Sequence, residues 1–158
     1  MKKKRYFPLF EDLSDKNIVV VGGGSVATRR VKSLLIFTRR ITVIAPVMTP
    51  DLQTLAMAGH IKAETRQVKR SDFAEAFMVL AATNDRKLNE AIYDICKEEG
   101  IYVNVAYNRD ESDFAFPGIC MQDSMVVGIV SDSDDVNRAR KLRDSVQELM
   151  EQMPADFD

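Results

Sequence analysis

The chain has 158 residues, which is the size of one domain or of one domain with a small appendage. Hydrophobic residues make up 46% of it and charged residues 29%, a composition that allows a buried core and excludes a wholly disordered chain. The formal net charge is −2, which excludes a general positive field for binding a polyanion, so we expect no nucleic acid partner.

The first predicted strand, 17–22, is a short apolar run rich in β-branched residues that leads into Gly22, Gly23 and Gly24. From Val26 to Leu35, apolar residues recur at helical spacing and basic residues fall on the other face. The order strand, glycine turn, helix is therefore predicted for the start of the chain.

Strands and helices alternate along the next 70 or so residues. The pattern predicts strands at 41–45, 61–64, 77–82 and 101–105, a helix at 50–57, and a helix that ends at Gly100. Cys96 falls on the apolar stripe of that last helix, which predicts a core residue. Such alternation is typical of an α/β fold with a mostly parallel sheet, in which ligands bind at the carboxyl ends of the strands.

Beyond Phe114 the pattern changes. Two strands are predicted at 114–121 and 125–131 around a turn at 122–124, followed by a helix whose apolar stripe runs from Val136 to Leu149. This segment is too small to bury a core alone, and its second strand would leave an apolar edge exposed. Pairing with a second copy would remove both problems, so we predict a homodimer.

Membrane and metal sites are not indicated by the sequence. The apolar runs are far shorter than the roughly 20 residues that span a bilayer, and no signal peptide is apparent, so we expect a cytoplasmic protein with no membrane partner. Cys96 and Cys120 lack CxxC partners, and His60 is the single histidine. Neither a disulfide framework nor a zinc site is therefore predicted.

The motif Gly22-x-Gly24-x-x-Ala27 lies between the first strand and the first helix. In a dinucleotide site the first glycine permits a tight turn, the second lets the backbone approach a pyrophosphate, and the third position lets helix and strand pack closely. The helix N-terminus adds N–H donors for the phosphates. The motif predicts dinucleotide binding; the alternative is a glycine turn that only packs.

The acidic residue that holds the ribose hydroxyls in many NAD sites is missing, because the second strand ends in Ala45-Pro46-Val47. Arg39 and Arg40 precede that strand and so lie at its other end. We expect backbone groups and packing around Pro46 and Val47 to hold the adenosine, and the choice between NAD and NADP stays open.

Six motifs spread along the chain are more specific than the glycine loop alone. They are YFPLF at 6–10, VVGGGSVATRR at 20–30, VIAP at 43–46, AATND at 81–85 with Asn89, VNV at 103–105, and FAFP at 114–117. Together they resemble the precorrin-2 dehydrogenase family, which also forms the amino-terminal module of siroheme synthases. The likeness runs from about Tyr6 to Leu149.

The resemblance implies NAD-dependent oxidation of precorrin-2 to sirohydrochlorin in siroheme (porphyrin) biosynthesis. It implies a Rossmann-type domain at 1–113 and a small α+β dimerisation segment, a hairpin plus a helix, at 114–158. It places the cofactor at Gly22, Gly23, Gly24, Ser25, Val26, Pro46, Val47, Ala82 and Thr83. It places the substrate at Asn104, Tyr107 and Ser131, although Asn104 has an equal interpretation as a strand-end residue that holds a turn.

Tyr107 stands where some family members place an aspartate that acts as catalytic base and metal ligand. A phenol is a poor base at neutral pH. We therefore predict catalysis by Asp113 and Asn104, with Asp110 as the other nearby carboxylate, no metal site, and no strong ferrochelatase activity.

The segment before the last helix also departs from the family, because Asp132, Asp134 and Asp135 replace small residues. These carboxylates would repel a polycarboxylate substrate. The alternative functions are a non-catalytic NAD-binding dimeric module associated with tetrapyrrole enzymes and an unrelated small oxidoreductase on the same fold.

Overall fold

The computed structural model describes residues 6–131 and 136–153. They form two compact units, one of Phe10–Phe114 and one of residues 6–9 with 115–131 and 136–153. The acidic run at 132–135 lies outside the described residues. The assignment of 1–113 to cofactor binding and of 114–158 to dimerisation stays a prediction.

A five-stranded parallel sheet of order β3-β2-β1-β4-β5 forms the centre of the larger unit. The strands are β1 (Ile18–Val21), β2 (Ile41–Ile44), β3 (Lys62–Glu64), β4 (Met78–Ala81) and β5 (Tyr102–Val105). The three inner strands are almost wholly buried, because helices cover both faces of the sheet and apolar β-branched residues fill them. The predicted fold class is confirmed.

Three helices connect the strands: α1 (Ser25–Leu34), α2 (Pro50–Met57) and α3 (Arg86–Glu99), with a short 3₁₀ helix at Arg70–Phe73. In the sheet, β2 and then β3 lie on one side of β1, and β4 and then β5 lie on the other side. Right-handed crossovers therefore place α1 and α2 on one face and α3 on the other. The observed bounds differ from the predicted ones by at most one residue in this unit.

One hydrophobic cluster of the larger unit lies between the sheet and α3. Cys96 is completely buried there beside Val103 and Val105, and its burial raises the pKa of the thiol to about 12. Cys96 is thus an inert core residue, as predicted. Gly100 ends α3 in the left-handed conformation with φ +69°, a conformation that favours glycine.

The smaller unit contains the antiparallel hairpin of β6 (Gly118–Gln122) and β7 (Met125–Ile129), and α4 (Val136–Gln152). The predicted strand at 114–121 is wrong for its first four residues. Pro117 has no N–H to donate to a ladder, and β6 begins directly after it. The hairpin turn, in which Asp123 has φ +52°, lies where it was predicted.

Helix α4 is bound to the outer edge of β6 through Gln147. The Met121 N–H donates to its Oε1 at 3.2 Å, and its Nε2 donates to the Met121 carbonyl at 3.3 Å. A side-chain amide thereby takes the place of a neighbouring strand at this edge.

No helix in the described part of the chain is long and apolar enough to cross a membrane.

Candidate dinucleotide-binding site

Gly22 brings the end of β1 into contact with the end of β4. Its φ is +125°, and a Cβ at this position would lie 2.3 Å from the carbonyl oxygen of Ala82. The Gly22 N–H donates to Ile44 O at 3.0 Å, and the Ala82 N–H donates to Val21 O at 2.8 Å. Only glycine fits, and the ends of β2, β1 and β4 are fixed side by side.

Gly23 lies equally close to the loop that follows β2. A Cβ there would be 2.0 Å from the Val47 carbonyl oxygen, and the Thr49 N–H donates to Gly23 O at 2.9 Å. The hydroxyls of Thr28 on α1 and Thr49 at the start of α2 are hydrogen-bonded at 2.7 Å. The glycine loop and the β2–α2 loop therefore form one connected wall.

Gly24 differs from both, because a Cβ on it would meet no atom within 4 Å. It is the N-cap of α1, no side chain caps the helix, and the first turn carries no acidic residue. The first intrahelical hydrogen bond begins at the Thr28 N–H, so the earlier N–H groups of the first turn, including those of Ser25 and Val26, have no intrahelical acceptor and are available to an anion. Open space above Gly24 and these donors fit a dinucleotide pyrophosphate.

Residues that were predicted to bind the cofactor also lie on the two sides of the glycine loop. Pro46 and Val47 are exposed beside the glycine loop, Val47 by 80%. Opposite them, the Thr83 hydroxyl donates to Asn89 Oδ1 at 2.7 Å and Asn89 Nδ2 donates to Thr83 O at 3.0 Å. Buried Asn89 thus fixes the segment after β4, a role that sequence reasoning missed although the residue belongs to a quoted motif.

Asn104 lies at the carboxyl end of β5 and is only 5% exposed. Its Nδ2 donates to Phe114 O at 2.8 Å, which turns its Oδ1 towards α1, where Arg30 Nη1 donates to it at 2.5 Å. Burial, and secondly repulsion from Arg29, lower the pKa of Arg30 to about 10, while its interaction with Tyr107 acts in the other direction. Arg30 remains a cation at neutral pH, half-buried beside the predicted substrate residue.

Tyr107 follows β5 by two residues and is 83% exposed. Its φ is +68°, which is uncommon for a bulky side chain. Ser131, the third predicted substrate residue, belongs to the smaller unit and has intermediate exposure.

Asp113 makes its contacts on the side of α3. Lys97 Nζ donates to its Oδ1 at 2.5 Å, and the Val103 N–H donates to its Oδ2 at 3.1 Å. The hydrogen bond to Asp113 also raises the pKa of Lys97. Because Asn104 contacts α1 and Asp113 contacts α3, the structure does not bring the two predicted catalytic side chains together.

Within 6–131 and 136–153, no group of three or more His, Cys, Asp or Glu residues could hold a metal ion.

The strand order 3-2-1-4-5 and a glycine loop where the order reverses, between β1 and β4, define a dinucleotide-binding protein of the Rossmann type. Residues 9–118 match the family described as "Putative NAD(P)-binding". The chain belongs to this family, and the predicted nicotinamide dinucleotide cofactor is confirmed.

Curated relatives extend the comparison. The "Probable multifunctional siroheme biosynthesis protein HemA" of Ruminiclostridium josui is 44% identical over 129 residues, which are 82% of this chain and 25% of that protein. "Siroheme synthase 1" of Aeromonas salmonicida (strain A449) is 33% identical over 147 residues, 93% of this chain and 31% of that protein. The predicted resemblance to siroheme synthases is confirmed, and the chain spans a quarter to a third of these relatives.

A solved structure, "SirC, precorrin-2 dehydrogenase", matches 92% of this chain and 74% of its own with a TM-score of 0.79 and 22% identity. This likeness shows a shared fold.

Substitution of Gly24 and Gly22 separates cofactor binding from folding. Gly24→Ala adds a methyl group in the open space above the loop, so we expect NAD to bind at least about tenfold more weakly by calorimetry, with a stability loss below about 1 kcal/mol. Gly22→Ala places its Cβ against the Ala82 carbonyl, and we expect a loss of more than about 3 kcal/mol. Unchanged NAD affinity in Gly24→Ala would contradict the phosphate assignment.

Proposed function

We propose that the chain oxidises precorrin-2 to sirohydrochlorin with NAD as the electron acceptor, as a cytoplasmic step of siroheme biosynthesis. The main support is the arrangement of one sheet edge, where an open phosphate site at Gly24 shares the carboxyl ends of the strands with the polar cluster of Arg30 and Asn104. The names of the relatives support the substrate class.

The residues after β2 favour NAD over NADP. An NADP site needs a cation near the ribose 2′-phosphate. Here Ala45, Pro46 and Val47 follow β2, while Arg40 lies at the opposite end of the strand, where its carbonyl accepts from the Ile18 N–H. We therefore propose that the adenosine rests on apolar groups and backbone.

The reaction removes a hydride and a proton from the macrocycle. Bound NAD supplies the nicotinamide ring that accepts the hydride. In this proposal, Gly22, Gly23, Gly24, Ser25 and Val26 hold the pyrophosphate, and Ala82 and Thr83 border the nicotinamide.

The substrate cleft in this proposal is formed within the larger unit by Asn104 and Tyr107. Arg30 and Phe114 hold the Asn104 amide in one rotamer, and Asn104 in turn positions the Arg30 cation beside this cleft.

The proposed reaction is tested by an anaerobic assay of the purified protein with precorrin-2, in which sirohydrochlorin is followed by its absorbance with NAD, with NADP and with neither. We expect NAD-dependent turnover that exceeds the NADP rate, and little insertion of iron or cobalt because Tyr107 replaces the family's metal-linked aspartate. Tight NAD binding with a rate no faster than that of the enzyme-free control would favour the alternative, a non-catalytic dimeric NAD-binding module.

We also propose that Asp113 accepts the proton, and its contacts make this role directly testable. A catalytic base contributes about 100-fold or more, so Asp113→Asn should lower kcat by at least that factor if Asp113 takes the proton. If Asp113 only joins α3 to β5, the same change should lower the melting temperature and leave kcat within about threefold, since the bond to Lys97 is lost. Glu111→Gln, in the same loop, is the matched control, and Asp110→Asn tests the other nearby carboxylate in the same way. Asn104→Ala should lower kcat/KM, because the positioning amide is removed.

We also propose that the smaller unit dimerises. Leu142 and Leu149 on α4 are 54% and 61% exposed, and Val130 after β7 is exposed as well, so burial in a second copy would stabilise the chain. Sedimentation at micromolar concentration should give twice the 17.8 kDa mass of one chain. Leu142→Glu should shift the protein towards monomer, whereas Met57→Glu, at an exposed site on α2, should not. A wild-type monomer would rule the dimer out.

A further inference from the structure

The backbone conformation at Tyr107 is unfavourable for a tyrosine, so folding alone does not explain why this residue is there. The Asn108 N–H donates to Val105 O at 3.2 Å and closes a four-residue turn in which Tyr107 is third. With φ +68°, this is the position where such turns favour glycine or asparagine. A bulky side chain there carries strain, and strain of this kind clusters at functional sites.

The loop around Tyr107 is built to hold that conformation. The Ser112 hydroxyl accepts from the Val105 N–H at 2.9 Å and donates to Asn108 O at 2.8 Å, and Asn108 Oδ1 accepts from the Asp110 N–H at 3.1 Å. These bonds fix both ends of the turn, so the ring of Tyr107 is presented to solvent from a defined backbone. An exposed aromatic ring on a strained backbone is expected where the ring contacts a ligand.

The position of the turn indicates which ligand this is. The Ala106 N–H donates to Ala81 O at 2.8 Å, so the turn starts beside the end of β4, next to the proposed nicotinamide border at Ala82 and Thr83. The cation of Arg30 lies beside this turn, because Arg30 Nη1 donates to Asn104 Oδ1 at 2.5 Å, three residues before Tyr107. An aromatic surface and a positive charge beside a hydride acceptor fit a large conjugated ring that carries carboxylates.

We propose that the Tyr107 ring is a contact surface for the conjugated face of a polycarboxylated tetrapyrrole, and that Arg30 binds one of its carboxylates. The substrate class rests on the proposed function. Tyr107 then determines specificity and position through its ring, and the proton of its phenol has no part in the reaction.

The test uses uroporphyrin III, a stable octacarboxylate tetrapyrrole, titrated into the NAD-loaded full chain and followed by its fluorescence. We expect Tyr107→Phe to keep Kd within about twofold, and Tyr107→Leu and Tyr107→Gly to raise it at least about fivefold. Arg30→Gln should raise Kd and flatten its salt dependence. Tyr102→Leu, an exposed tyrosine at the other end of β5, is the control and should leave Kd unchanged.

Thermal unfolding and NAD affinity separate this role from a structural one. Glycine relieves the strain at φ +68°, so Tyr107→Gly should raise the melting temperature by about 2–4 °C and leave NAD affinity unchanged while uroporphyrin binding is lost. A lower melting temperature with unchanged uroporphyrin affinity would overturn the proposal, as would a wild-type chain that does not bind uroporphyrin.

Turnover of precorrin-2 distinguishes this inference from the proposed function. If Tyr107-dependent uroporphyrin binding occurs without NAD-dependent turnover, the contact surface stands and the dehydrogenase proposal falls. If wild type turns over precorrin-2 and Tyr107→Gly keeps the same KM and the same uroporphyrin Kd, the dehydrogenase stands and the contact surface falls.

Discussion

The close approach of Gly22 to Ala82 is the constraint on which the site depends. Any side chain at Gly22 would overlap the carbonyl at the end of β4, and the positive φ at this residue turns the chain sharply from β1 into α1. This single contact sets where α1 begins and how near its first turn lies to Thr83. The N–H groups of the first turn of α1, which are proposed to bind the phosphates, and the segment after β4 consequently lie at one sheet edge, where an ordinary turn would separate them.

Alternation along β5 divides the polar groups of this edge between two faces. Val103 and Val105 face the α3 core, and Asn104 between them contacts Arg30 on α1. Asp113 is held by Lys97 on the α3 side. The carboxylate that the sequence offers as a replacement for the family's aspartate is thus tied to structure, whereas the amide and the guanidinium are placed with Tyr107. This arrangement favours the proposed role in substrate binding over proton transfer for the polar groups beside Tyr107.

The fold and the cofactor loop could be predicted because their signals are local. Apolar strand runs, three consecutive glycines and helical periodicity place every predicted bound of the larger unit within a residue, whereas the 3₁₀ helix at Arg70–Phe73 was not predicted. The Arg30–Asn104 hydrogen bond joins residues 74 apart, and no local pattern encodes it. Position 107 is neither glycine nor asparagine, so the sequence does not indicate its positive φ. At 114–117 an aromatic run resembled a strand, and the missing N–H of Pro117 outweighed its apolar character.

The hydroxyl pair of Thr28 and Thr49 has a consequence for how a long cofactor is bound. One hydroxyl belongs to the helix that begins at the glycine loop and the other caps the helix after the loop proposed to hold the adenosine, so neither loop can shift without breaking a bond to the other. The groove is therefore shaped before a ligand arrives, and little conformational freedom remains to be lost on binding. At the proposed site, both halves of the dinucleotide would therefore bind to one rigid surface.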